Sequence, residues 1–369
     1  MKRILSQCIK ELTQFRRDRL TVALAFILPL ATLLIFGYAI RLEAKNIPIV
    51  VQDFDNTPLS RSYVERIFAT NQFYAAPWQG EGTVQGAIDR GLAKAAVIIP
   101  PDFSRQIKAE QTSPVQVIVD GTDVNNARII RASMQATTQF FLRTSGLQPP
   151  SRPRINVRSR IWFNPGRKEA LYIVPGTCAV VLWIYPSLLA AIAMARDKEK
   201  GTIIQVYASD TSATELILGK GLAYLIVGLS EAIFVIGLST LLFGLRLAGA
   251  PTPLLVGIPL FISTSVMFGI LIGARTGNQN AAVQVVATAG FLTALLLSGF
   301  IYPLSNIPFP LSLVSNIIPT RYFIVIIRDA FVRGTGWVGV WIHMVMLVIL
   351  GLLLFNAARR KLQAMQLSD

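Results

Sequence analysis

Six long apolar runs dominate the chain, and a more polar stretch at residues 42–170 separates the first run from the other five. Each run has the ~20 residues that an α-helix needs to cross ~30 Å of hydrocarbon. Lipid leaves no partner for free backbone groups, so each run is expected to be helical. The pattern predicts a membrane all-α bundle of six transmembrane helices. The apolar runs are Thr21–Ile40, Leu171–Ala195, Gly219–Phe243, Leu254–Ala274, Ala281–Tyr302 and Trp337–Asn356.

A second helical pattern precedes the first run, within residues 1–20. Its apolar positions recur at helical spacing, while Lys10 and Glu11 fall among the polar positions between them. This spacing predicts an amphipathic helix on the inner leaflet. It would serve either as an elbow helix that takes force from a cytoplasmic partner or as a simple anchor. The apolar positions are Ile4, Leu5, Cys8, Ile9, Leu12 and Phe15.

Residues 42–170 alternate short strand patterns with helical ones, which predicts a mixed α/β domain inserted between the first two spans. Thr57-Pro58 is a helix start, because proline is favoured in the first turn. The predicted strands are Ile47–Val51, Ala95–Ile99, Val115–Val119 and a returning strand at Ile155–Phe163. The predicted helices extend from Thr57 to Phe68 and from Val124 to Phe141.

Composition agrees with a membrane protein, since 53% of residues are hydrophobic and only 15% are charged. The net charge of +15 is not a sign of nucleic-acid binding, because no basic helix interleaved with aromatic residues is found. Instead, short segments between spans carry basic clusters that orient a membrane protein with its positive side inside. Both termini, including a tail at 357–369, are therefore expected in the cytoplasm and residues 42–170 outside it.

The most informative polar segment is residues 196–218, between the second and third spans. It opens with charges of alternating sign, suited to a reversible docking surface. Gly201 would end the charged helix, and Ser212 with Glu215 has the spacing of a capping box that starts the next one. The opening charges are Arg196, Asp197, Lys198, Glu199 and Lys200.

This segment resembles the cytoplasmic coupling region of ABC-2-type transporter permeases, the membrane subunits of bacterial ABC exporters of the multidrug type. Three further segments are similar to that family, and the resemblance covers nearly the whole chain. They are Trp162-Phe163-Asn164-Pro165 with Val174-Pro175-Gly176, Leu297-Ser298-Gly299-Phe300-Ile301-Tyr302-Pro303-Leu304, and Ile318-Pro319-Thr320-Arg321-Tyr322-Phe323 with Ile327-Arg328.

The resemblance implies a multi-pass subunit of the bacterial inner membrane that moves drug-like or amphipathic substrates outward. It implies that the chain pairs with a second copy or a paralogue and that membrane lipids surround the pair. It also implies that an ABC ATPase subunit, which binds ATP and magnesium, docks on the chain. The outer domain would engage a periplasmic adaptor or shape a lateral exit for substrate. The residues expected to couple to the ATPase are Arg196, Asp197, Lys198, Glu199, Lys200, Gly201 and Thr202.

The chain has no nucleotide-binding loop of its own, since the sequence G-x-x-x-x-G-K-[ST] does not occur in it. Its single histidine, His343, excludes a histidine-based zinc site. No catalytic, cofactor or metal site is therefore predicted in this chain, and ATP hydrolysis is assigned to a partner.

Glu231 lies near the middle of the third span, where an ionisable group is costly. Three interpretations stay open. The carboxyl could line the substrate path, it could couple protons in a secondary transporter, or it could be a packed group hydrogen-bonded to a neighbouring helix.

Residues 303–336, after the fifth span, hold four prolines around short apolar pieces. Proline-interrupted backbone is tolerated at membrane depth when protein covers it. The segment is therefore expected to form a broken helical hairpin that re-enters from the outer face, the alternative being an amphipathic surface loop.

Overall fold

The computed structural model describes residues 1–39, 46–78, 83–122, 124–147, 163–164, 168–203 and 211–366. The chain forms two compact units, one of residues 1–40 with 160–369 and one of residues 41–159. The strand predicted at 155–163 lies outside the described residues apart from Phe163, as do residues 204–210 of the charged segment.

The larger unit contains a short N-terminal helix and six helices that are long and apolar enough to cross a membrane. The prediction of six spanning helices is therefore confirmed. These helices are α1 (Lys2–Arg17), α2 (Arg19–Ala39), α7 (Ala170–Glu199), α8 (Ala213–Phe243), α9 (Thr252–Arg275), α10 (Gln279–Leu297) and α13 (Trp337–Gln366), with α3–α6 in the smaller unit.

Several of the spanning helices, α7 and α8 among them, are longer than their apolar runs. Helix α7 continues through Glu199, so the first charges of segment 196–218 are helical, in agreement with the expected charged helix that ends at Gly201. Helix α8 begins at Ala213, behind the predicted capping box of Ser212 and Glu215, which is confirmed. An apolar run measures the thickness of lipid, whereas capping groups set where a helix ends.

Helix α7 lies at the centre of the bundle and packs closely on α9. A Cβ atom added to Gly269 would lie 2.1 Å from the backbone oxygen of Ser187, and one on Gly273 would lie 2.5 Å from that of Ala191. Small residues at such crossings let two helix backbones approach within lipid. The Ser265 hydroxyl donates a 2.6 Å hydrogen bond to the carbonyl of Trp183 across the same contact.

Residues 303–336 contain two short helices rather than an extended loop. Helix α11 covers Leu311–Ser315, and α12 covers Pro319–Arg328 and continues as a π-helical turn through Asp329–Arg333. Phe323 of α12 is fully buried and stacks on Phe261 of α9, with ring centroids 4.1 Å apart. A surface loop is therefore the wrong description of α12, which packs among the spanning helices.

Arg328 attaches α12 to its surroundings. Its guanidinium donates to the carbonyls of Gly299 and Phe300 at 3.0 and 3.2 Å and lies 4.0 Å above the ring of Tyr172. The charge is thus compensated by carbonyl dipoles and an aromatic face.

The smaller unit is a four-stranded sheet with helices on both faces. The strand order is β2-β1-β3-β4, and only β4 is antiparallel to its neighbour. The strands are β1 (Ile47–Asp53), β2 (Phe73–Ala75), β3 (Ala95–Ile99) and β4 (Gln116–Val119). The helices are α3 (Pro58–Phe68), α4 (Val84–Asp89), α5 (Phe103–Lys108) and α6 (Val124–Thr144).

Alternation along β1 and β3 divides the core of this unit between the two faces of the sheet. Ile49 and Val97 pack towards α3 and α6, whereas Val50 and Ala96 pack towards α4. The start of α3 was predicted correctly, because the Thr57 hydroxyl caps it together with Ser60. Strand β2 and helix α4 were not predicted, since each is too short to show a periodic pattern.

We expect Gly269→Val to destabilise the bundle, because its side chain would meet the α7 backbone and force the two helices apart. Overpacking of this kind costs about 1–3 kcal/mol. The melting temperature of the purified protein in detergent should therefore fall.

Gly237→Val is the matched control, since a Cβ at Gly237 of α8 meets no atom within 4 Å. Equal melting temperatures for the two variants would contradict the close α7–α9 contact.

Candidate functional site

A buried ion cluster joins α1, α7 and α8 at one end of the bundle. Lys220 of α8 is fully buried, and its Nζ donates a 2.6 Å hydrogen bond to Glu11 Oε1 of α1. Asp197 Oδ2 of α7 lies 2.7 Å from the same nitrogen. Glu11 and Asp197 are 1% and 5% exposed, so all three charges are withdrawn from solvent together.

Close packing brings α1 to this position. A Cβ on Gly219 would lie 2.7 Å from Gln7 Cβ and 3.1 Å from the Ile4 carbonyl, so α1 rests directly on the start of α8. The Gln7 amide also donates to Glu11 at 3.1 Å and holds that carboxylate towards Lys220.

A second ion pair connects the cluster to the start of α2. Arg196 Nη1 lies 3.5 Å from Asp18 Oδ2, in the single residue between α1 and α2. Asp18 also accepts a 2.6 Å hydrogen bond from the Thr21 hydroxyl. That hydrogen bond, with the charge of Arg196, keeps the pKa of Asp18 below its ordinary value, so the carboxylate stays ionised.

The next two charges hold the ends of neighbouring helices. Lys198 Nζ donates to the carbonyls of Ala274 and Thr276 at the C-terminus of α9. Glu199 Oε2 accepts from the backbone and side-chain amides of Gln279 at the N-terminus of α10. Each charge has the sign that the helix end favours.

The structure divides the seven residues predicted to couple to an ATPase into two groups. The sequence predicted that Arg196 and Asp197 belong to an exposed docking surface. Both are buried instead, so their side chains do not contribute to such a surface. The remaining residues are Lys198, Glu199, Lys200, Gly201 and Thr202, of which the middle three are exposed and the outer two half-buried.

These exposed residues form a tight turn at the end of α7, which we call the charged turn (Glu199, Lys200 and Gly201). Gly201 adopts a φ of 68°, a left-handed conformation that glycine accepts readily and that ends the helix as predicted. The Thr202 hydroxyl donates to the Asp197 carbonyl at 3.2 Å and holds the turn against the buried cluster.

Sequence reasoning missed both Glu11 and Lys220. Glu11 was placed on the polar side of the amphipathic helix, yet it is buried, while Leu5 and Ile9 on the apolar side are each 56% exposed. The available signal was Lys220 itself, a charge at the edge of the third apolar run that calls for an acidic partner.

Glu231 of α8 is also fully buried, but it is unpaired. Neither carboxyl oxygen has a hydrogen-bond partner among the described residues. The interpretation of Glu231 as a packed group hydrogen-bonded to a neighbouring helix is therefore wrong for the part of the chain that the structure describes.

Comparison with known proteins assigns the chain to a family. A family profile described as "ABC-2 family transporter protein" matches residues 19–360. "Probable multidrug ABC transporter permease YbhS" of Escherichia coli (strain K12) is 28% identical over 345 residues, covering 90% of this chain and 89% of the relative. "Probable multidrug ABC transporter permease YbhR" of the same strain is 26% identical, covering 95% and 97%.

A third relative, "Inner membrane transport permease YhhJ" of the same strain, is 24% identical and covers 97% of this chain and 96% of the relative. The profile and these relatives extend across the spanning helices, the inserted unit and the charged turn. The chain is a multi-pass membrane protein that belongs to the ABC-2 family of transporters.

Proposed function

We propose that this chain is the permease subunit of an ATP-driven exporter that moves amphipathic or drug-like substrates out across the inner membrane. The observation that carries the proposal is the charged turn on a rigid ionic base. The names of two relatives as multidrug ABC transporter permeases support the substrate class. ATP and magnesium would bind to a separate ABC ATPase subunit.

The charged turn is suited to reversible docking. It presents a carboxylate and an ammonium group on adjacent residues, with their backbone fixed by Gly201 and Thr202. Polar, charge-bearing contacts favour fast and specific association over permanent attachment. An ATPase that changes shape during its cycle needs an attachment of this kind.

The base below the turn would transmit movement into the membrane. Asp197 lies one helical turn from Gly201 and is ion-paired to Lys220, which in turn holds Glu11. Displacement of the turn would therefore move the end of α7, the start of α8 and helix α1 together. Helix α1 would then act as an elbow helix, the first of the two roles expected from its sequence.

Orientation and assembly follow from the same proposal. The charged turn and both termini would lie in the cytoplasm and residues 42–170 outside it, with residues 303–336 near the outer face as a re-entrant hairpin. Two permease subunits, identical or paralogous, would pair across a two-fold axis. The outer unit would contact a periplasmic adaptor or shape a lateral exit for substrate.

We expect Lys200→Glu to weaken ATPase docking, because it reverses an exposed charge and leaves the buried cluster intact. The tagged chain would be recovered from native membranes in mild detergent, and co-purified proteins would be identified by mass spectrometry. An ATPase with a nucleotide-binding loop should accompany the wild type and be reduced several-fold with the variant.

Arg275→Glu is the matched control, since it reverses an exposed charge at the same end of the bundle but outside the turn. Equal loss with both variants would indicate general charge repulsion. Recovery of no ATPase even after cross-linking would refute the ABC assignment of function.

The coupling role of the ion cluster requires two variants. Lys220→Met leaves two buried carboxylates without their cation, which should destabilise the protein by about 3–5 kcal/mol. The triple variant Glu11→Gln, Asp197→Asn, Lys220→Met removes every charge together and should recover much of that loss in melting temperature.

In reconstituted vesicles with the ATPase, we expect the triple variant to hydrolyse ATP but to transport substrate poorly, because hydrogen bonds alone hold the three helices less firmly. Normal transport per ATP hydrolysed would show that the cluster only stabilises the fold.

Proton-coupled secondary transport is the second candidate function, and unpaired Glu231 is the observation that favours it. It predicts that Glu231→Gln abolishes transport and that inactivating the ATPase does not. For an ATP-driven permease we expect that inactivating the ATPase abolishes transport.

Glu231→Leu should raise the melting temperature, since it removes an unpaired buried polar group. A lower melting temperature would show that the carboxyl has a stabilising partner.

A further inference from the structure

An apolar groove of about 350 Å³ lies between α8, α9 and α13, and neither the residues of the ion cluster nor Glu231 line it. Its size is at the lower end of the range for ligand sites. We call it the acyl groove. Its lining residues are Leu218, Gly221, Leu222, Leu225, Leu260, Ser263, Thr264, Met267, Leu347, Val348, Gly351, Leu352 and Phe355.

The walls of the acyl groove offer almost nothing to a polar ligand. Ser263 and Thr264 are the two lining residues with a polar side chain, and the Thr264 hydroxyl already donates to the carbonyls of Leu260 and Leu347. A ligand in this groove must therefore be hydrocarbon along its length.

Two glycines let the helices that line the groove approach one another closely. A Cβ on Gly221 would lie 2.8 Å from the Met267 methyl, and one on Gly351 would lie 3.0 Å from Thr264 Oγ1. The groove follows α13 from Leu347 to Phe355, eight residues that span about 12 Å of helix. A slot of this length accommodates part of a single acyl chain.

One end of the groove carries a positive charge. Along α13, the lining positions Val348, Leu352 and Phe355 are spaced four and three residues apart, and Arg359 comes four residues further on the same face. Arg359 is exposed and forms no hydrogen bond or ion pair among the described residues. Arg360, the next residue, is exposed too but points about 100° away around the helix.

The nearest acid on the α8 wall does not oppose this charge. Glu215 lies one turn before Leu218 and is already engaged by the Ser212 hydroxyl and backbone at 3.0 Å and by Arg3 at 3.9 Å. The end of the groove at Arg359 is therefore free to attract an anion at the level where a spanning helix leaves the hydrocarbon.

We propose that the acyl groove binds one chain of a phospholipid whose anionic headgroup lies against Arg359. A chain in the groove and a phosphate at its basic end satisfy both parts of the site with one molecule, and a membrane supplies that molecule at the mouth. This inference does not rest on the proposed function, because binding is measured without transport.

The test uses the purified full-length chain, stripped of lipid and titrated with phosphatidylglycerol or phosphatidylcholine. Lipid retained is counted by native mass spectrometry, and melting temperature is followed in parallel. We expect one phosphatidylglycerol to be retained preferentially and to raise the melting temperature. Arg359→Gln should weaken that binding about fivefold, the contribution of one surface arginine to an anionic lipid.

Arg360→Gln is the matched control, since it removes the same charge at the same depth from another face of α13. Equal weakening by the two variants would overturn the site in favour of diffuse attraction. Equal retention of both lipids would overturn the headgroup assignment.

Ser263→Phe tests the part of the site that binds the acyl chain, because the phenylalanine ring would occupy the groove that Ser263 lines. Thr240→Phe, on the exposed face of α8, is the control. We expect binding to be lost in the first variant only. The proposal would be overturned if the Ser263→Phe variant still retained phosphatidylglycerol. It would also be overturned if a drug-like competitor bound preferentially and phosphatidylglycerol did not displace it. If Ser263→Phe fails to fold, Leu222→Trp can be used instead, because Leu222 lines the groove and is partly exposed.

Discussion

The arrangement of the helices at one end of this bundle depends on a single buried lysine. Lys220 of α8 lies between Glu11 and Asp197, and helices α1 and α7 must each bring a carboxylate oxygen within 2.7 Å of its Nζ. Removing a charge from water costs several kcal/mol unless a partner is present, so a shift of any of the three helices leaves a charge uncompensated. Apolar side chains can slide past one another at little cost, whereas this cluster specifies one arrangement.

The consequences of this constraint spread through α7, the central helix. At its charged end, Lys198 and Glu199 hold the end of α9 and the start of α10, so the helices nearest the charged turn are joined by hydrogen bonds to charged groups. Deeper in the bundle, Gly269 and Gly273 place α9 directly on the α7 backbone. Close packing of this kind transmits displacement because it leaves little room for independent movement. The turn, the cluster and the α7–α9 contact thus form one mechanical unit.

The sequence predicted the parts of this unit that depend on local pattern. The spans follow from their length and apolar composition, and the capping box at Ser212 and the glycine end at Gly201 follow from residue types that suit those positions. Partners distant in sequence were beyond this reasoning. Periodicity describes the faces of one helix, so Glu11 resembled a solvated charge until Lys220, far along the chain, was placed against it. The burial of Asp197 was missed for the same reason, since an alternation of charges does not say which side chain faces inward.

Lys220 and Glu231 lie eleven residues apart in α8, which is close to three full turns and places both on nearly the same face of the helix. Their environments are opposite: the lysine has two carboxylates, while the glutamate has no hydrogen-bond partner in the described residues. Packing does not account for this glutamate, because a leucine of similar size would occupy the same space without desolvation. The cluster at Lys220 is explained by the structure it holds in place. Glu231 has no such partner among the described residues, and this is the observation on which the proton-coupled alternative rests.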